Sequence, residues 1–296
     1  MKKNILIITQ AVDNKDSNLG FFCGWLNEFA KQADRVYVIA NCVREYTLPD
    51  NVEVLSLGRE LGAGRIVKLF RFWAYLFKYL TKVDSVFAHM CPEYVVYGGF
   101  LARLYGKKIG LWYLHKSLSF NLKLAGKLVN YIFTAHADGI PIKNNKVIVT
   151  GHGIDLSLFE GKDKAKGDKF TLLTAGRISP SKNLLILAKT AIILQQKMEK
   201  PVELLVVGEP YLPRDQAYLD ELKTYLKQEK AETVVKLIGR VPHSEMRKYY
   251  DKADVFVNAS RTGGVDKAVL EAMAGRRPVF TSNSAFKNIL PPRCLF

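Results

Sequence analysis

The chain reads as an α/β protein of two tandem domains, each a parallel sheet with helices on both faces. Three observations predict this. Short apolar runs alternate with segments of helical period along the whole chain, the pattern of strand–helix–strand units. Those runs are continuous enough to be strands buried on both faces. At 296 residues the chain is also longer than one hydrophobic core usually organises.

In the first half, Asn4–Thr9 and Arg35–Ala40 read as buried strands, with a helix over Phe21–Gln32 between them. Val52–Leu57, Ser85–His89, Lys108–Tyr113, Tyr131–Thr134 and Lys146–Thr150 continue the series. The charged stretch 161–169 contains no large apolar residue and reads as a linker. It divides a domain at 1–160 from one at 170–296. In the second, strands at Phe170–Ala175, Val202–Val207, Val234–Ile238, Val255–Asn258 and Val279–Thr281 alternate with four helical patterns. Both halves are therefore expected to be Rossmann-like, with ligands at the carboxyl ends of the strands. The polar loop Gln10–Gly20 suits a cleft wall or a plain connector. It lacks the GxGxxG of a dinucleotide site.

Composition narrows the class of function. The net charge of +16 points to an acidic partner such as anionic lipid, nucleic acid or a phosphorylated substrate. No nucleic-acid fold signature accompanies the charge, so nucleic acid is not expected. Cys23, Cys42, Cys91 and Cys294 are scattered with no CxxC pair, which speaks against zinc and for a reducing compartment. Met1-Lys2-Lys3 precedes only a short apolar run, better read as a strand than as a secretory signal. A cytoplasmic location follows.

The segment Ile66–Val83 interleaves cations with aromatic residues. Lys68, Arg71, Trp73 and Lys78 mark it as either an interfacial membrane helix or a core helix with a wet cationic side. From Leu61 to Ala137, eleven Lys or Arg face two acids, a surplus that favours an anionic membrane surface.

The stretch Leu172–Asn183 ends an apolar run at Gly176 and then sets Arg177 and Lys182 close together. Ser179 reads as an N-cap and Pro180 as a first helical residue, so a helix N-terminus and two cations would meet there. That combination attracts phosphate.

Further matching pieces follow in order. They are Leu205-Val206-Val207-Gly208-Glu209, Leu237-Ile238-Gly239-Arg240-Val241, Tyr249 to Val257, and Leu270-Glu271-Ala272-Met273-Ala274-Gly275 through Val279. With Gly176 to Lys182 they resemble the donor half of a family 4 type (group 1) retaining glycosyltransferase of the GT-B fold. Gly151-His152-Gly153-Ile154-Asp155 with Phe159 resembles that family's interdomain turn.

The resemblance implies transfer of a hexose-type sugar from a nucleotide diphosphate sugar, with retention, to a glycan or lipid-linked acceptor. It implies Arg177 and Lys182 stabilising the leaving diphosphate, Glu271 holding the ribose, and the backbone at Val241 reading the base. Glu271 also suits a plain first-turn helix acid. Gly176, Gly208, Gly263, Gly264, Val265 and Asp266 would line the donor. His115, in Trp112-Tyr113-Leu114-His115-Lys116, matches a cleft histidine, with Gly20 and His89 on the acceptor side. A structural role for His115 stays open, and His152 and His243 read as structural.

Neither a cofactor nor a metal is expected; no Asp-x-Asp occurs. An enzyme peripheral on the inner face of the cell membrane is the implied setting. The family's earlier glutamate falls on Gly263, with Asp266 as a candidate substitute, and the family's closing C-terminal segment is missing. A catalytically silent sugar-nucleotide-binding homologue and a GT-B-like sugar-nucleotide epimerase are the alternatives.

Overall fold

The computed structural model describes residues 3–16, 19–115, 117–159, 167–261 and 263–296. Most of the expected linker, together with Lys116, Thr262 and part of the Gln10–Gly20 loop, lies outside them. Two compact units divide at Gly151/His152, ahead of the boundary expected at 160.

The first unit holds β1 (Lys3–Val12), α1 (Phe21–Gln32), β2 (Ala33–Val43), β3 (Val52–Ser56), α2 (Arg65–Tyr79), β4 (Ser85–His89), α3 (Pro92–Leu104), β5 (Lys108–Trp112), α4 (Phe120–Leu128), β6 (Tyr131–Thr134) and β7 (Val147–Val149). Its seven-stranded sheet is parallel throughout, in the order β3-β2-β1-β4-β5-β6-β7. The chain reverses its direction across the sheet between β1 and β4. Right-handed crossovers then place α1 on one face and α2, α3 and α4 on the other. Two apolar clusters mark those faces. Phe22, Leu26 and Ala30 of α1 pack with Val36 and Val38. Phe72, Leu76, Val95, Ala102 and Leu122 pack with Leu6, Ile8, Val86 and Ile109. Burial of each large apolar side chain contributes about 1.5–3 kcal/mol.

The second unit holds α5 (Leu156–Phe159), β8 (Phe170–Ala175), α6 (Leu184–Lys197), β9 (Val202–Val207), α7 (Pro213–Gln228), β10 (Val235–Gly239), α8 (Arg247–Lys252), β11 (Val255–Asn258), α9 (Lys267–Ala274) and β12 (Val279–Thr281). The order β10-β9-β8-β11-β12 is again all parallel, and its reversal falls between β8 and β11. Helices α6 and α7 cover one face through Leu187, Ala188, Leu222 and Leu226. Tyr250, Val269 and Ala272 of α8 and α9 cover the other, with Phe159 of α5 buried among them. The predicted strands and the four helices of this half all occur.

One local expectation is corrected. Ser179 occupies the N-cap position, but Pro180–Lys182 is a single 3-10 turn, and the Ser179 side chain makes no capping hydrogen bond. Asn183 then takes the left-handed conformation (φ 50°) and breaks the chain's direction, so the α-helix starts at Leu184. Asn tolerates that conformation better than most residues, and its presence there moves the helix start away from Pro180.

The turns after β8 and β9 touch through glycine. Gly176 and Gly208 have φ values of 137° and 142°, and a Cβ on Gly208 would overlap the Gly176 carbonyl. Gly208 thus lets one strand end approach the next, an approach the motif alone suggested was toward a ligand. Gly208→Ala is expected to cost about 2 kcal/mol or more, from overlap added to backbone strain. Gly62→Ala, at φ 74° in open space, should cost only about 1 kcal/mol. Urea denaturation midpoints of the two variants against the parent check this.

Candidate functional site at the carboxyl ends of the second sheet

The reversal between β8 and β11 opens a gap between strand ends, the place where sheets of this class bind ligands. Gly176, Arg177, Lys182, Leu184, Val207 and Asn258 line a shallow hollow there. Lys182 Nζ lies 2.5 Å from Asp266 Oδ1 and 3.5 Å from Ser260 Oγ. Asn258 and Asn283 donate to the other oxygen of Asp266, at 3.1 and 3.2 Å. Asn283 also donates to the Gly264 carbonyl at 2.7 Å. Asp266 is therefore fixed by three side chains, one of them the cation assigned to phosphate. Arg177 stands at the rim, its Nε 3.8 Å from the buried Asp215 carboxylate, which caps the start of α7.

Gly263 takes φ 62° and is buried, a conformation that suits glycine and leaves no carboxylate at the family's position. Gly264 faces open space, and Val265 packs into the apolar cluster under α9. Val241 packs there too, just after Gly239, whose carbonyl accepts from Gly208.

Glu271 sits one turn into α9 and is buried. It accepts from His243 Nε2 at 2.9 Å and from the Tyr250 hydroxyl at 2.8 Å. Burial works against its charge, but the hydrogen bond and positive potential of His243, with help from Lys267 and Tyr250, prevail. Together they hold the carboxyl below the usual carboxylate range. Burial, opposed by Glu271, lowers Lys267 to about 8. Two hydrogen bonds leave lone-pair sites on the Glu271 carboxylate for further donors.

The sequence pointed to Glu271 but read His243 as structural; the structure makes His243 the partner of that carboxylate. Tyr250, Asn258 and Asn283 were missed as site residues. Asn258 carried a readable signal, since a polar amide ends an otherwise apolar strand.

In the first unit the residues named from sequence come from several elements. His89 is buried at the end of β4, stacked on Phe22 with ring centroids 4.1 Å apart and 3.4 Å from Thr9 Oγ1. His115 is exposed, and its Nδ1 accepts from the Ser117 backbone N–H at 3.1 Å. Gly20 abuts the Asp16 carbonyl, so space rather than conformation calls for glycine. On α2, Arg71 turns back to donate to the Leu57 carbonyl at 3.1 Å and fills the space beside Gly58. Trp73 donates its indole N–H to the Tyr97 carbonyl at 3.1 Å. Lys78 is exposed above the Tyr79 ring, and Lys68 is half-buried.

The chain is similar to known proteins in both sequence and fold. Residues 158–287 match the family model described as glycosyl transferases group 1. The chain is 31% identical over 144 residues to the amylovoran biosynthesis glycosyltransferase AmsK of Erwinia amylovora, covering 46% of this chain and 34% of that protein. It is 29% identical over 182 residues to the alpha-monoglucosyldiacylglycerol synthase of Acholeplasma laidlawii, covering 53% and 44% respectively. The chain thus spans less than half the length of these relatives. Anabaena Alr3699/HepE, solved with UDP and glucose, superposes with a TM-score of 0.69 at 17% identity, covering 94% of this chain and 80% of that one. The fold is the two-unit α/β architecture of the GT-B glycosyltransferases.

His152 gives the site a pH signature. Burial, with Lys267 adding to it, pushes its imidazole down to about 4, below the ordinary 6.5. The folded protein resists protonation that the unfolded chain accepts. The contribution is complete above pH 6.5 and is lost as pH falls toward 4, by about 1–3 kcal/mol. His152→Gln should flatten that part of the pH dependence of the urea midpoint.

Proposed function

We propose that this chain transfers a hexose-type sugar from a nucleotide diphosphate sugar to a lipid-linked or envelope glycan acceptor. Transfer proceeds with retention and without a metal, on the inner face of the cell membrane. The observation that carries the reading is the set Lys182, Asp266, Asn258 and Arg177 gathered at the β8–β11 reversal, with the charged Glu271 fixed nearby on α9. The family match over residues 158–287 and the relatives named for glycosyl transfer support it.

Departure of the nucleotide diphosphate develops charge on its bridging oxygen. Arg177 and Lys182 meet that charge from two sides, a task a metal would otherwise perform. Lys182 leaves Asp266 to do so. Asp266, still held by Asn258 and Asn283, then turns its freed oxygen to the sugar hydroxyls in place of the carboxylate absent at Gly263. Glu271 accepts from the ribose hydroxyls through its remaining lone pairs. His115, exposed after β5, is assigned to contacting the sugar or handling a proton, and Gly20 and His89 to the acceptor side. Retention means that the new bond forms on the face of the sugar from which the diphosphate departs.

A second reading, a silent sugar-nucleotide-binding homologue, is favoured by the Lys182–Asp266 pair itself, which neutralises the phosphate cation in the free chain. Two measurements decide. In calorimetry, one nucleoside diphosphate should bind the parent, and Lys182→Met and Arg177→Gln should each weaken it by about tenfold or more, as loss of a charge-assisted hydrogen bond requires. Donor turnover with product analysis then separates transfer from silence and from epimerisation. Asp266→Asn should lower kcat/KM for the nucleotide sugar about tenfold or more while the bare diphosphate binds at least as well as to the parent.

A further inference from the structure

Helix α2 has two apolar faces, and only one is used by the core. Phe72, Leu76 and Tyr79 are buried against the sheet and α3. Ile66, Phe70, Trp73 and Phe77 recur at helical spacing on a separate stripe and face out, with Phe70 at 64% and Phe77 at 58% exposure. Helix α3 repeats the arrangement. Tyr97, Phe100 and Leu104 lie on its outer side, and Phe100 and Leu104 are each 67% exposed.

The two stripes are neighbours. Both helices lie on one face of the sheet, Gly98 lets Phe72 and Leu76 close against α3, and the Trp73 indole donates to the Tyr97 carbonyl across the gap. Large apolar residues gathered on one exposed face of a chain mark an interaction surface.

We infer that this α2–α3 face is the surface by which the chain docks on an anionic lipid bilayer. Phe70, Phe77, Phe100 and Leu104 would enter the acyl boundary, with Trp73 and Tyr97 at headgroup level. The charge carried by these helices and the segments next to them selects this occupant. Lys68, Lys78, Lys82, Lys107, Lys123 and Lys127 belong to the same cation-rich segment, where Asp84 and Glu93 are the opposing acids. Among the described residues, no ion pair engages any of these six lysines. Aromatic residues alternating with cations that no carboxylate engages fit a negatively charged interface. A second copy of the chain would instead bring cations against cations. No helix among the described residues is long and apolar enough to cross a membrane, so docking is by partial insertion from one side. The inference names the membrane surface for the reading proposed above, and it rests on the first unit alone.

The test is co-sedimentation of the full chain with vesicles of phosphatidylcholine plus phosphatidylglycerol, and with phosphatidylcholine alone, at low and high salt. The parent should bind the anionic vesicles, and salt should weaken binding. The pairs Phe70→Ser/Phe77→Ser and Phe100→Ser/Leu104→Ser should each lower the partition coefficient by about tenfold or more with an unchanged melting temperature, since the removed side chains support no core. Lys68→Ala/Lys78→Ala should reduce the preference for anionic vesicles. Failure of the parent to bind at low salt, or parent-like binding by both apolar pairs, overturns the inference. So does self-association in sedimentation velocity that the apolar pairs abolish, which would make the face an interface between copies. Donor binding measured without vesicles is a separate readout, so failure of the transferase reading leaves this result standing.

Discussion

The parallel pairing of β8 with β11 is the constraint on which the candidate site depends. The chain lays β9 and β10 on one side of β8, then returns to place β11 on the other. Loops leaving the two central strands must diverge to reach helices on opposite faces, and the gap between them cannot be filled by backbone. The polar groups gathered about Lys182 sit around that gap. Lys182 comes from the turn after β8, Asn258 and Ser260 from the end of β11, Asp266 from the start of α9 and Asn283 from just past β12. The tight approach of Gly208 to the Gly176 carbonyl keeps the neighbouring strand end close enough to form a wall.

The first unit has the same reversal between β1 and β4 but fills it differently. Phe22 stacks on His89, and Trp25 stands edge-on to both His89 and Trp112. Aromatic rings occupy what is a polar hollow in the second unit. Topology supplies the opening, and side-chain chemistry decides whether it is a plug or a site.

Two carboxylates of the second unit show how environment divides similar groups. Glu271 is buried and kept charged by His243, Lys267 and Tyr250, so its protonation state is set before any ligand arrives. Asp266 is held by two amides and shares its charge with Lys182. On the reading proposed above, a diphosphate would have to draw Lys182 away from Asp266, whereas Glu271 would meet the ribose already charged and held by His243 and Tyr250. Binding would then reorganise one carboxylate and leave the other in place.

The strands, most helices and the α/β class were legible in the sequence because their signals are local. Apolar runs such as Leu172–Ala175 and Val255–Val257, and the helical period of α1, depend on neighbours within a few residues. Gly176, Lys182 and Glu271 were singled out for the same reason, each within a short motif. The pairing of Glu271 with His243, of Asp266 with Asn258 and Asn283, and the inward turn of Arg71 needed the tertiary structure. Each joins residues that only strand order brings together. Helix α2 states the division most simply. Its sequence is apolar on more than one side and cationic between, and periodicity cannot say which apolar stripe meets the sheet. Packing against α3 through Gly98 decided that, burying Phe72 and Leu76 and leaving Phe70 and Phe77 outside, because burial is a property of the assembled layers and not of any one segment.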